Sequence, residues 1–390
     1  MTKNPTPFTP AEVGYDASRL DVLDAHFRRM MDKGDLMAAA YCFSRDGKVF
    51  AESADGRFTY REDDDRQIDC DTIYQIASET KLFCATAIIK LAEDGLILLN
   101  QPVSDFIDSF KEAPFDKINL AHLLTHSSGM HPDGGCVPGK IDYWDAIYLM
   151  RKENPNMDWT EALTAAGVRT EPGKEWAYCS IGFVLLGAVI EKVTGIKPEK
   201  YITDNILIPC EMTNSGFVKY NMTPEDAKRL QRRGEWLDKT CEWIENPDSM
   251  PDEEILWNRT MPQTGGGMYS KPSDLVKFGN MLLNGGKYNG NRIIGRKSVE
   301  KMIEEQIALP DFCWNAGGTI RHYALGPDLR RNLTTFYSEG TFFHEGAGSC
   351  SLIIDPHERM VASWFVPYTN NQWFASGLYN AQAIIWSGLE

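Results

Sequence analysis

The chain has 390 residues, 43% of them hydrophobic and 24% charged, with 55 acidic against 40 basic side chains and a net charge of −15. That is an ordinary globular composition, long enough for one large or two smaller domains. The negative balance argues against nucleic acid or an anionic membrane surface as a partner.

Residues 1–7 lack the apolar core of a secretory signal, and no later stretch approaches the ~20 apolar residues of a membrane helix. Nine cysteines stand singly, with no Cys-x-x-Cys pair, and Cys42, Cys84 and Cys350 fall in apolar segments. This reads as reduced, buried thiols in a cytoplasmic protein.

Residues 16–32 form the first expected helix, with Leu20, Leu23, Phe27, Met30 and Met31 on one face. Two strand-like runs follow, 38–44 and 48–53, joined by Arg45-Asp46-Gly47, whose Asp-Gly is a hairpin signal. An extended stretch at 73–77 gives way to an amphipathic helix over 81–93 that stops at Gly95. From about 102 to 269 the pattern is helices and long loops, with one clear helix at 181–194 before Gly195. Residues 219–261, polar and aperiodic, read as a long surface loop. Helices are expected at 272–283 and 298–306, strands at 318–325, 341–344, 349–354 and 360–366, and a last helix at 373–386. Strands at both ends with helices between imply a discontinuous α/β domain, 1–80 and 286–390. A mostly helical domain, 81–285, is inserted in it, with the active site at their interface.

Chemistry enters at Ser78-Glu79-Thr80-Lys81, where the extended stretch meets the helix. A serine in the first turn has Lys81 one turn on, on the same face. A lysine that near, partly desolvated, can help take the hydroxyl proton and make the serine a nucleophile. The spacing alone is weak, since roughly one such match arises by chance in a chain this long. The chain has a second, Ser298-Val299-Glu300-Lys301, which reads as a helix N-cap with a solvated lysine. Ser78 differs in its company: Tyr178-Cys179-Ser180 leads into the 181–194 helix, and Phe343-His344-Glu345-Gly346-Ala347-Gly348 joins a strand to a small-residue turn.

Together these resemble the serine β-lactamase and penicillin-binding-protein superfamily, in its class C-like branch of family VIII esterases and D-aminopeptidases. Ser78 and Lys81 match its Ser-x-x-Lys, Tyr178 and Ser180 its Tyr-x-Asn/Ser, and His344-Glu345-Gly346 its Lys-Thr-Gly or His-x-Gly strand. Leu123-Leu124-Thr125-His126-Ser127-Ser128-Gly129 and Gly265-Gly266-Gly267 are similar to two further motifs, all five in the family's order. The resemblance covers residues 20–389. It implies an α+β fold, an antiparallel sheet flanked by helices with an inserted mostly helical domain, and a cofactor-free serine hydrolase. Ser78 would form an acyl-enzyme and Lys81 and Tyr178 would move protons, either being the base. The amides of Ser78 and Ala347 would make the oxyanion hole, and Ser180, His344 and Gly346 would bind substrate.

Two departures from the family pattern bear on the substrate. Ser180 replaces the asparagine that grips a β-lactam side-chain amide, and His344 replaces a permanent cation, its charge conditional near neutral pH. Esters or small amides therefore fit better than β-lactams, with carboxylesterase ranked above D-amino peptidase or β-lactamase. Acyl transfer, or a non-hydrolytic binding protein of the same fold, are the alternatives. His122 and His126 are four apart, but no carboxylate or cysteine completes a metal site, and none is expected. His131 reads as a loop residue and Trp144, Trp236, Trp243 and Trp257 as packing residues.

Overall fold

The computed structural model describes residues 2–134, 143–232, 234–237, 242–245, 261–313 and 319–390. Its centre is a six-stranded antiparallel sheet made from the two ends of the chain. The strands are β1 (Thr2–Lys3), β2 (Ala38–Arg45), β3 (Lys48–Gly56), β4 (Phe342–Gly346), β5 (Cys350–Asp355) and β6 (Met360–Phe365), in the order β1-β3-β2-β6-β5-β4. The β2–β3 hairpin turns where the sequence places it. Asp46 and Gly47 both have positive φ, 51° and 76°, the conformation of a two-residue turn matched to the strands' twist.

Side chains alternate across the sheet, as the period of two demands. Tyr41, Phe43, Ile353, Ala362 and Trp364 face an apolar layer completed by Leu23 and Phe27 of α1 (Ser18–Asp32) and Ile385 of the C-terminal helix (Leu378–Trp386). Ala38, Ala40, Cys42, Leu352, Ile354 and Val361 face the other way, into the main core. That core runs without interruption through α2 (Thr80–Glu93), α3 (Ser180–Thr194) and α4 (Pro272–Leu283). Phe83 of α2 stacks on Phe278 of α4 with ring centroids 4.1 Å apart. α4 lies directly on the sheet: a Cβ at Gly279 would run into Val361, so glycine sets how close helix and strand come.

Two expectations need correction. Within 219–261 the described residues are not one loop. Thr223 caps a helix, Pro224–Arg229, through a reciprocal bond with Asp226, and Pro224 stands at its first position. Leu230–Gln231 then pairs in parallel with Ile73–Gln75, and Gly234–Leu237 pairs with Glu242–Glu245 and with Tyr368–Thr369. Strands this short are stabilised by pairing partners far along the chain, which local periodicity cannot report. Residues 246–260, with Trp257, lie outside the described residues. Ser298 is not an N-cap: Gly295 caps the Arg296–Ile303 helix, and the Ser298 hydroxyl sits in its first turn, bonded to Glu93. Lys301 is solvated as expected, half exposed beside Glu304.

Among the described residues no helix is long and apolar enough to cross a membrane. The seven described cysteines are buried thiols, none in a disulfide.

Candidate active site

Ser78 sits in a single 3-10 turn, Ala77–Glu79, between the short strand Ile73–Gln75 and α2, which begins at Thr80. The expected first helical turn is thus a 3-10 turn that enters α2, and the three-residue spacing to Lys81 still brings the two side chains together. The glycine-rich turn is docked on this segment. The Ile76 N–H donates to Met268 O at 3.1 Å, and the Met268 N–H donates to Thr80 Oγ1 at 3.2 Å.

Lys81 is fully buried, and its Nζ lies within hydrogen-bond reach of Ser78 Oγ at 2.9 Å, Ser180 Oγ at 3.0 Å and Gly265 O at 2.6 Å. Gly265 must be a glycine for its carbonyl to come so near, because a Cβ there would lie 2.9 Å from Ser180 O. The Tyr178 ring centroid is 4.9 Å from the same Nζ. Tyr178 is half-buried and its backbone is pinned on either side. Its own N–H donates to Cys313 Sγ at 3.2 Å, the Ala177 N–H to His126 O at 2.9 Å, and the Cys179 N–H to His126 Nδ1 at 3.1 Å. The structure therefore brings Ser78, Lys81, Tyr178 and Ser180 into one cluster.

β4 passes alongside. A Cβ at Gly346 would collide with Ile76 O and Cys350 Sγ, so only glycine lets the strand lie against the Ser78 turn. Ala347 follows in the exposed β4–β5 turn, and its N–H has no backbone acceptor among the described residues. His344 departs from expectation. It is buried, its Nδ1 donates to Glu345 O at 2.7 Å, and its Nε2 faces the Tyr323 hydroxyl at 3.5 Å. Burial first, and the nearby Lys81 second, push its pKa down to about 3, so the imidazole is neutral at physiological pH rather than conditionally charged. Glu345 is turned to Arg330, 2.6 Å away.

Several residues of the site carry no motif signal. Asp133, in what looks like a plain Pro-Asp-Gly-Gly turn, takes the Ser180 N–H on Oδ1 at 2.8 Å and the Ser180 hydroxyl on Oδ2 at 2.5 Å, and its own N–H donates to Tyr178 O at 2.9 Å. Glu79 is completely buried behind the nucleophile, and among the described residues neither carboxyl oxygen has a nitrogen or oxygen partner; burial raises its pKa far above the usual carboxylate range. Trp176, fully buried, packs on Tyr323 and under the Arg321 guanidinium, which bridges Asp311 and Asp328.

The two histidines with metal-like spacing are held apart. His122 Nδ1 accepts the Asn119 N–H at 3.3 Å in a helix cap, while His126 points into the core with its ring 4.4 Å from that of Tyr178. No cluster of three potential ligands occurs among the described residues. His131 lies on its loop beside Tyr143, whose hydroxyl its N–H contacts at 3.2 Å. Trp144 is partly buried against the core.

The Beta-lactamase family model matches residues 23–381. Protein flp of Staphylococcus aureus (strain N315) is 32% identical over 204 residues, 51% of this chain and 38% of that protein, so the match spans about two-fifths of the relative's length. Unliganded simvastatin synthase (LovD) from Aspergillus terreus superposes with a TM-score of 0.74 at 18% identity, over 95% of this chain and 98% of that one. A family VIII carboxylesterase superposes at 0.71 with 19% identity over the same shares. With nearly the whole chain matched by one family model and the same fold in these structures, the chain belongs to the beta-lactamase family.

Proposed function

We propose that the protein is a carboxylesterase-type serine hydrolase, cleaving esters or small amides of small acyl groups through an acyl-enzyme on Ser78. The observation that carries the reading is the buried Lys81 Nζ 2.9 Å from Ser78 Oγ, with Tyr178 against the same ammonium position. Ser78 attacks the carbonyl carbon, and the Lys81–Tyr178 pair takes its proton and returns it to the leaving group. The amides of Ser78 and Ala347 receive the developing oxyanion, each donor worth about 3 kcal/mol in well-studied hydrolases. Water then deacylates the enzyme.

The surroundings support neutral esters. Ser180 is bonded to both Asp133 and Lys81, and has no amide to hold an acylamino side chain. His344 is uncharged and so offers no cation to a substrate carboxylate. The carboxylesterase among the structural neighbours points the same way.

The test compares turnover of p-nitrophenyl acetate and butyrate, a chromogenic cephalosporin and a D-alanyl-D-alanine dipeptide. The reading expects the esters to have the highest kcat/KM, and fails if the cephalosporin or dipeptide is hydrolysed while the esters are inert.

A further inference from the structure

We propose that Asp133 is a positioning residue that dictates the direction of the Lys81–Ser78 hydrogen bond by fixing the proton of Ser180. The inference rests on the reading of Ser78 and Lys81 as the reacting pair.

The argument is a count of hydrogens. A carboxylate only accepts, so the single Ser180 hydroxyl proton points to Asp133 Oδ2 at 2.5 Å. Ser180 Oγ then takes a proton from Lys81 Nζ at 3.0 Å rather than giving one. The Gly265 carbonyl also only accepts, at 2.6 Å, and holds a second Lys81 N–H. As an ammonium Lys81 donates to all three oxygens, Ser78 Oγ at 2.9 Å among them; as a neutral amine it can accept a proton from Ser78, the one of the three that is able to turn its own proton toward the lone pair. In the reaction the Ser78 O–H bond breaks, its proton joins the Lys81 lone pair to give an ammonium, and the serine oxygen bonds to the acyl carbon. Without Asp133 the Ser180 hydroxyl is free to donate to the same lone pair and compete with Ser78. Asp133 is itself held for this task by its N–H bond to Tyr178 O and by the Ser180 N–H.

Among the described residues, the titratable groups facing Lys81 include Cys84 on its own helix, His126, Tyr178, Cys179, His344 and, through Ser180, Asp133. Burial keeps the two histidines neutral and the two thiols protonated at neutral pH. Asp133 is the acidic group among them.

Asp133→Asn is a determinate probe. The Ser180 N–H requires the amide oxygen opposite it, so the NH2 faces Ser180 Oγ as a donor and the hydroxyl proton must turn toward Lys81. With p-nitrophenyl butyrate, kcat is expected to fall about 10- to 100-fold with KM little changed. The acidic limb of the pH–rate profile is expected to move about one unit lower, because a negative charge near the lysine is gone. In a Ser180→Ala background, which has no hydroxyl to misdirect, Asp133→Asn is expected to change kcat less than threefold. Unaltered melting curves verify that the variants are folded. The proposal is overturned if Asp133→Asn leaves kcat and the limb unmoved, or if its loss persists undiminished beside Ser180→Ala. Full activity in Ser78→Ala would instead sink the functional reading.

Discussion

Lys81 is buried, its Nζ within hydrogen-bond reach of a carbonyl and two hydroxyls. This arrangement places the amine where it can exchange a proton with Ser78. Lys81→Ala should lower kcat for p-nitrophenyl esters by about 10²- to 10⁴-fold, the range for loss of a general base, with melting temperature as the control for folding. His344 carries a different prediction. Its folded pKa of about 3 lies below its unfolded value near 6.5, so the unfolded chain binds the extra proton first as pH falls. Stability is therefore whole above pH 6.5 and is lost progressively between there and pH 3, a fall on the order of 5 kcal/mol. His126, also buried and neutral, acts in the same direction. Denaturant midpoints between pH 7 and 4 should drop steeply for the wild type and less steeply for His344→Gln. That Ser78, Lys81 and Tyr178 lie together was legible because a short motif, or its place in the motif order, marks each. Asp133 was not, because its role depends on a loop closing on Ser180 from 47 residues away.

At the level of elements, the site stands where the Ala77–Glu79 turn is clamped between β4 and the glycine-rich turn. Gly346→Ala should cost about 1–3 kcal/mol of stability through overpacking against Ile76 and Cys350, and lower kcat as the Ser78 turn is displaced. Glu79 within the same turn is a buried, protonated acid. Its folded pKa is raised, so stability is full below the unfolded value near 4.5 and lost as pH rises. Glu79→Met should stabilise the protein at pH 8 by about 1–3 kcal/mol in urea titrations, and by less at pH 5. Hairpin, helices and C-terminal strands could be read from periodicity and turn residues because each is specified locally. The Thr223 cap was missed within the expected loop, although Thr-Pro-Glu-Asp carries a helix-start signal. The strands after it could not be read, since their partners lie at 73–75 and 368–369.

For the whole molecule, the sheet joins the chain's ends, with the N-terminal hairpin beside the last strand of the three C-terminal ones. That order follows from long-range pairing, which local periodicity does not report. The fold's consequence is to bring Ser78, Tyr178 and β4, separated by up to 268 residues of chain from 78 to 346, to one place. The account stands on Ser78 being the nucleophile there. The most direct measurement is intact-protein mass after brief exposure to a slowly deacylating p-nitrophenyl ester, quenched in acid. A mass gain of one acyl group is predicted, mapping by peptide fragmentation to Ser78 and absent in Ser78→Ala. Turnover with no adduct in the wild type and equal hydrolysis by Ser78→Ala would contradict it.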